Sequence, residues 1–178
     1  MPRKTEEITS YVFKDSDKLL LDANVWIFLY GPQKPGDPKV SIYSQAFAKI
    51  LAAKSQIYID VLIVSEFINT YARLKYNILL PPSTNFKQFR KSKDFKPIAQ
   101  AIADDVKRML QHCTRIATGF ETLAIETLLN EYALGDSDFN DQVLTDLCIR
   151  TGLMLITDDA DFKDRGIPVI TANKRLLI

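Results

Sequence analysis

Residues 141–171, DQVLTDLCIRTGLMLITDDADFKDRGIPVIT, decide the fold. Asp141 to Arg150 reads as a helix, and Gly152 is its C-terminal stop. Leu153-Met154-Leu155-Ile156 follows as a continuous apolar run of strand length, the mark of a strand buried on both faces. Asp158 to Asp164 reads as a loop or short helix, and Ile167 to Thr171 as a final strand. Helix, buried strand, connection and buried strand in succession predict a parallel sheet with helices on both faces, an α/β fold with right-handed crossovers.

The rest of the chain repeats the theme. Leu19-Leu20-Leu21, within Lys18 to Ala23, is a second short apolar run, and it closes on Asp22. Gly31 to Pro38 is a loop, with two glycines and three prolines. Val40 to Lys54 predicts a helix, Gln56 to Asp60 a strand, and Val64 to Tyr76 a helix ended by Pro81-Pro82. Ile98 to His112 and Glu121 to Tyr132 predict helices, with a short strand expected at Arg115 to Ala117 and a turn at Gly135 to Asn140. The chain, residues 1–178, is expected to be a single domain with a core of about 18–171 and a basic, aromatic insertion of about 77–97.

Composition limits the function classes. Apolar residues make up 47% and charged residues 25%, as in folded globular domains rather than disordered chains. No apolar stretch is long enough to span a bilayer, and the polar N-terminus lacks the core of a secretory signal. Cys113 and Cys148 make neither a disulfide framework nor a zinc motif, so a reducing cytoplasm is the expected compartment. The net charge of +1 hides an asymmetry. Residues 71–115 hold ten Lys and Arg against three Asp, while residues 116–165 hold eleven Asp and Glu against three Lys and Arg. The first region attracts polyanions; the second repels them unless a cation neutralises it.

Parallel sheets bind ligands at the carboxyl ends of their strands. Asp22 closes one strand, Asp159 follows another, Glu66 lies early in the helix after the second strand, and Asp141 begins the helix leading into the Leu153 strand. If those strands are neighbours, four acids converge. Crowded carboxylates repel, and a hard divalent cation such as Mg²⁺ or Mn²⁺ relieves the repulsion. Taken singly, each acid has an ordinary reading: Asp22 and Asp141 as helix caps, Glu66 as an exposed helix acid.

Four segments together resemble the PIN-domain nuclease family, which includes the toxins of VapBC modules. They are Leu20-Leu21-Asp22-Ala23-Asn24-Val25, Val64-Ser65-Glu66-Phe67-Ile68-Asn69, Asn140-Asp141-Gln142-Val143-Leu144 and Thr157-Asp158-Asp159-Ala160-Asp161-Phe162. The resemblance covers about Lys18 to Thr171. Asp146-Leu147-Cys148 departs from the small residues usual after the third acid, and Asn77 to Lys96 is longer than in compact toxins. The resemblance implies a three-layer α/β/α sandwich with a mainly parallel sheet, and a metal-dependent ribonuclease acting on single-stranded RNA. It implies Asp22 and Asp141 as the principal Mg²⁺ or Mn²⁺ ligands, Asp159 joining directly or through water, and Glu66 holding a second ion or orienting the water. Asn24 and Thr157 are expected to orient these groups, with ordinary capping or turn bonding as the alternative. It also implies homodimerisation and, for a toxin, an antitoxin protein as partner. Asp158 and Asp161 read as solvated loop residues, and Asp138 as an auxiliary ligand.

Phe86, Phe89 and Phe95 alternate with Lys87, Arg90, Lys91, Lys93 and Lys96. The cations are expected to contact RNA phosphates. The rings either stack on bases or anchor the segment to the body. His112, the single histidine, and Trp26 read as structural. Two other functions compete. Gly135-Asp136 with Asp141 resembles haloacid-dehalogenase phosphatases, but those need an aspartate where Asn24 stands. A catalytically silent RNA-binding or scaffold module of PIN type is the second.

Overall fold

In a computed structural model, residues 5–79, 85–135 and 138–178 are described. The Pro81-Pro82 stop and Asp136 lie outside the described residues. The strands are β1 (Thr5–Glu7), β2 (Lys18–Leu21), β3 (Gln56–Ile59), β4 (Thr114–Arg115), β5 (Met154–Ile156) and β6 (Val169–Thr171). The helices are α1 (Ala23–Tyr30), α2 (Pro38–Ala53), α3 (Val61–Leu79), α4 (Phe86–Phe89), α5 (Phe95–Gln111), α6 (Ile125–Ala133) and α7 (Phe139–Thr151).

The sheet runs β1-β6-β5-β2-β3-β4, and every pairing is parallel. Connections from β2 to β3 to β4 step one way along the sheet; the return to β5 and β6 steps the other way. Right-handed crossovers therefore place α1 to α5 on one face and α6 and α7 on the other, a three-layer α/β/α sandwich. The direction reverses between β2 and β5, and the crevice outside the carboxyl ends at such a reversal is where α/β sheets take ligands.

The core explains the strands. Leu19, Leu20, Leu21, Leu155 and Ile156 are at most 1% exposed, because both faces of β2 and β5 are covered. Burying a leucine contributes about 1.5–3 kcal/mol, so these two strands set the register firmly. That register pairs Leu20 with Leu155 and Leu21 with Ile156.

Two elements depart from the sequence reading. Residues 23–30, ANVWIFLY, are apolar apart from Asn24 and show no helical contrast, so that beyond the Asp22 cap nothing marks the extent of α1, in which Ala23, Val25, Trp26 and Ile27 are buried. Residues 5–7 are polar and carry no strand pattern, yet β1 pairs with β6 along Thr5–Val169, Glu6–Ile170 and Glu7–Thr171. Boundaries also shift. α3 runs Val61–Leu79 rather than Val64 to Tyr76, α6 begins at Ile125 rather than Glu121, and β4 lies at Thr114–Arg115.

Candidate functional site

The β2–β5 register carries Asp22 level with Thr157. The Asp22 amide donates to the Ile156 carbonyl at 2.9 Å, one step past the last paired residues. The Asp22 side chain, in a residue 4% exposed, turns into three donors. Its Oδ1 accepts from the Ala23 amide at 2.6 Å, and its Oδ2 accepts from Asn24 Nδ2 and Thr157 Oγ1, both at 2.6 Å. Asp22 thus does cap α1, as the ordinary reading expects, and the capping bond also fixes the carboxylate at the crevice floor.

Thr157 is fully buried and its hydroxyl is saturated. It donates to Asp22 and accepts from Asn24 Nδ2 at 3.1 Å and from the Asp159 amide at 3.0 Å. Asn24 Oδ1 accepts from the Asp158 amide at 3.1 Å. Asn24 and Thr157 therefore tie the end of β2 to the loop after β5, and their polar atoms are spent on Asp22 and its neighbours.

The other acids arrive from two helices. Asp60 accepts from the Leu62 amide at 2.8 Å where α3 starts, and Glu66 follows early in that helix. Asp138, not Asp141, is the N-cap of α7: its Oδ1 accepts from the Asn140 amide at 2.8 Å. Asp141 sits in the first turn with no capping duty, so its capping alternative is removed. Glu66 is exposed at its surface, as the helix-acid alternative expects, yet partial desolvation, then repulsion from Asp22, Asp138 and Asp159, pushes its carboxyl up to about 7. Burial, then repulsion from Asp22, Asp159, Asp138 and Glu66, pushes Asp141 up to about 7. Asp22 is also raised, chiefly by burial, against the lowering effect of its donors. Acids from four separate segments thus share one field. Asp138, read from the sequence as an auxiliary ligand, belongs to that field.

Among the described residues, no group of three or more His, Cys, Asp and Glu side chains has donor atoms arranged to hold a metal ion. The donor chemistry nevertheless fits a hard cation. The acids offer only oxygen, and an Asp22 Oδ1 with a single hydrogen bond retains a lone pair. Mutual repulsion holds such acids apart until a cation screens them.

Asp158 is not a solvated loop residue. Its side chain is 10% exposed, is paired with the Lys39 ammonium, and accepts from the Tyr43 hydroxyl at 3.1 Å. Both partners lie on α2, far away in the sequence, so nothing local to Asp158 announces them. Asp161 is exposed, as expected.

Lys87, Arg90, Lys91 and Lys93 are exposed on α4 and the turn after it, and none is among the charges acting on Glu66. The rings anchor this segment. Phe89 is 2% exposed and packs 5.4 Å from both Tyr76 of α3 and Phe95 of α5, and Phe86 packs 5.6 Å from Tyr76. Asn85 and Gln88 close a capping box around α4. His112 stands edge-on to Phe47 at 5.4 Å, and Trp26 is buried against Phe47 and Tyr30.

The family model for the PIN domain matches residues 19–168. No curated protein matches the chain. Among solved structures, a chain from the crystal structure of VapBC2 from Rickettsia felis bound to a DNA fragment from their promoter is similar at 15% identity and a TM-score of 0.52. The match covers 86% of this chain and 98% of that one, and at such identity it speaks for the fold alone.

Proposed function

The chain belongs to the PIN domain family, a family of nucleases, and from that premise we propose that it is a Mg²⁺- or Mn²⁺-dependent endoribonuclease cleaving single-stranded RNA. The observation that carries the reading is the shared field at the β2–β5 crevice, where partial desolvation and other carboxylates drive both the exposed Glu66 and the half-buried Asp141 to about 7. A site that stores repulsion between acids is poised for a cation.

In this reading Asp22 and Asp141 are the principal ligands, Asp159 joins directly or through water, and Glu66 holds a second ion or orients the attacking water. When bound, the divalent cation supplies charge stabilisation to the phosphate and makes water a better nucleophile. Thr157 and Asn24 hold the Asp22 carboxylate in one orientation, so little reorganisation accompanies the reaction. Lys87, Arg90, Lys91 and Lys93 contact the RNA backbone from the insertion at about 77–97, one part of a single-domain chain. The four-segment resemblance to VapBC toxins, together with a fold shared with a VapBC2 chain, supports a further reading as the toxin of a toxin-antitoxin pair with an antitoxin protein over the acidic cleft; a cytoplasmic homodimer belongs to that same reading. Among the described residues no helix is long and apolar enough to cross a membrane.

The second reading is a catalytically silent RNA-binding or scaffold module, favoured by the lack, among the described residues, of three acids arranged to chelate. Purified protein incubated with labelled single-stranded RNA and Mn²⁺ separates the two. The nuclease reading expects cleavage that EDTA, Asp22→Asn and Asp141→Asn each abolish. RNA binding without cleavage at any Mn²⁺ concentration supports the silent module instead.

A further inference from the structure

Between Thr157 and Asp159 stands Asp158, a residue the nuclease reading does not use. It is nonetheless pinned from four directions. Its amide donates to Asn24 Oδ1 at 3.1 Å, and its carbonyl accepts from Asn173 Nδ2 at 2.6 Å. Its carboxylate takes the Lys39 ammonium and the Tyr43 hydroxyl. Tyr43 is 1% exposed on α2, with its ring stacked parallel on Phe28 at 5.3 Å. Its hydroxyl reaches the Thr157 carbonyl and Asp158 Oδ1, both at 3.1 Å, and accepts from the Ala172 amide at 3.1 Å.

A hydroxyl has one proton and two lone pairs; here the proton lies between the Thr157 carbonyl and Asp158, and a lone pair takes the Ala172 amide. This hydroxyl joins the ends of β5 and β6 to α2 at a single buried point. What it fixes is the three-residue span whose ends are Thr157, the donor to Asp22, and Asp159. We propose that Tyr43 is a positioning residue for the acidic site, holding Thr157 and Asp159 in register with Asp22 through its contacts with Thr157 and Asp158. The ring is dispensable for this in a way the hydroxyl is not: phenylalanine retains the stack on Phe28 but frees the Thr157 carbonyl and Asp158. Part of the consequence, the effect on metal binding, rests on the nuclease reading; the placement of the loop does not.

The test compares wild type, Tyr43→Phe and Ile50→Val, the last a conservative core change in the same helix that leaves the hydroxyl alone. Two quantities are measured: amide hydrogen exchange at Asp158 and Asp159 in metal-free protein, and Mn²⁺ affinity by calorimetry. Tyr43→Phe should speed exchange at both amides and raise the Mn²⁺ Kd about tenfold, the scale of losses when a group behind a metal ligand is removed. Ile50→Val, about two helical turns from Tyr43, should leave both within about twofold of wild type. Wild-type protection of both amides in Tyr43→Phe overturns the proposal, as does an equal loss in Ile50→Val, which would mean general loosening. Faster exchange in Tyr43→Phe with an unchanged Kd overturns it as well. If wild type binds no Mn²⁺, the nuclease reading falls, and amide exchange alone decides whether Tyr43 holds the loop.

Discussion

Replacing Thr157 by valine removes one hydroxyl and keeps the shape of a fully buried side chain. Three bonds depend on that hydroxyl: its donation to Asp22 Oδ2 at 2.6 Å, and its acceptance from Asn24 Nδ2 and the Asp159 amide. A hydrogen bond to a charged group is worth about 1.5–3 kcal/mol, and a neutral one about 0.5–1.5 kcal/mol. The cost of the substitution should therefore depend on whether Asp22 is ionised. Burial raises the Asp22 pKa and the Thr157 bond lowers it, so losing the bond raises it further. A raised carboxyl pKa means the unfolded chain releases its proton first, so stability falls as pH climbs from the unfolded value to the folded one. In the variant this fall continues to higher pH. The two proteins differ least in acid, where Asp22 is protonated in both, and most in alkali. We expect a loss of about 1 kcal/mol in acid, where Asp22 is protonated, rising to about 2–3 kcal/mol in alkali, where it is ionised. For a chain of this size the larger value lowers Tm by roughly 4–12 °C. Denaturant unfolding in EDTA across the pH range measures it. A cost that is flat with pH, or largest in acid, refutes the reasoning.

Further outcomes follow from the same geometry. Glu66 and Asp141 are raised to about 7, so metal-free protein should lose stability as pH rises from about 4 to about 7. Because both side chains are partly exposed, Glu66→Gln should recover only about 1 kcal/mol at pH 8 and almost nothing at pH 4, read from denaturant midpoints in EDTA. Phe89→Ala empties a site that is 2% exposed and should cost about 3–5 kcal/mol, freeing the segment around α4 to early proteolytic nicking. Lys91→Glu with Lys93→Glu should weaken single-stranded RNA binding and flatten its salt dependence by about 0.7 in log–log slope for each phosphate no longer neutralised; an unchanged slope removes these residues from the interface.

Much of this architecture is readable because burial on both faces leaves an unmistakable trace. Leu19 to Leu21 and Leu153 to Ile156 are apolar without interruption, and two such runs, each closed by a polar turn bearing an aspartate, imply parallel neighbours and a shared edge. The fate of β1 is not readable, since Thr5, Glu6 and Glu7 owe their strand to backbone pairing with β6 rather than to side-chain pattern. The extent of α1 is hidden as well, since beyond the Asp22 cap its run, apolar but for Asn24, shows no helical period. At the site, the placement of Asp22, Glu66, Asp141 and Asp159 at strand and helix ends can be read along the chain. The part of Asp158 cannot, because its meaning lies in Lys39 and Tyr43, more than a hundred residues earlier. Asp138 is legible as an auxiliary ligand in the turn before α7, but its role as the N-cap of that helix is not.

The central claim is that the acids of the β2–β5 crevice form one cation site. Calorimetric titration of metal-free protein with Mn²⁺ at pH 7.5, beside Asp22→Asn, tests it most directly. The account predicts saturable binding to wild type, with release of protons because Glu66 and Asp141 lie near 7, and loss of that binding in the variant. Wild type that binds no Mn²⁺, or an Asp22→Asn variant that binds it equally well, contradicts the account.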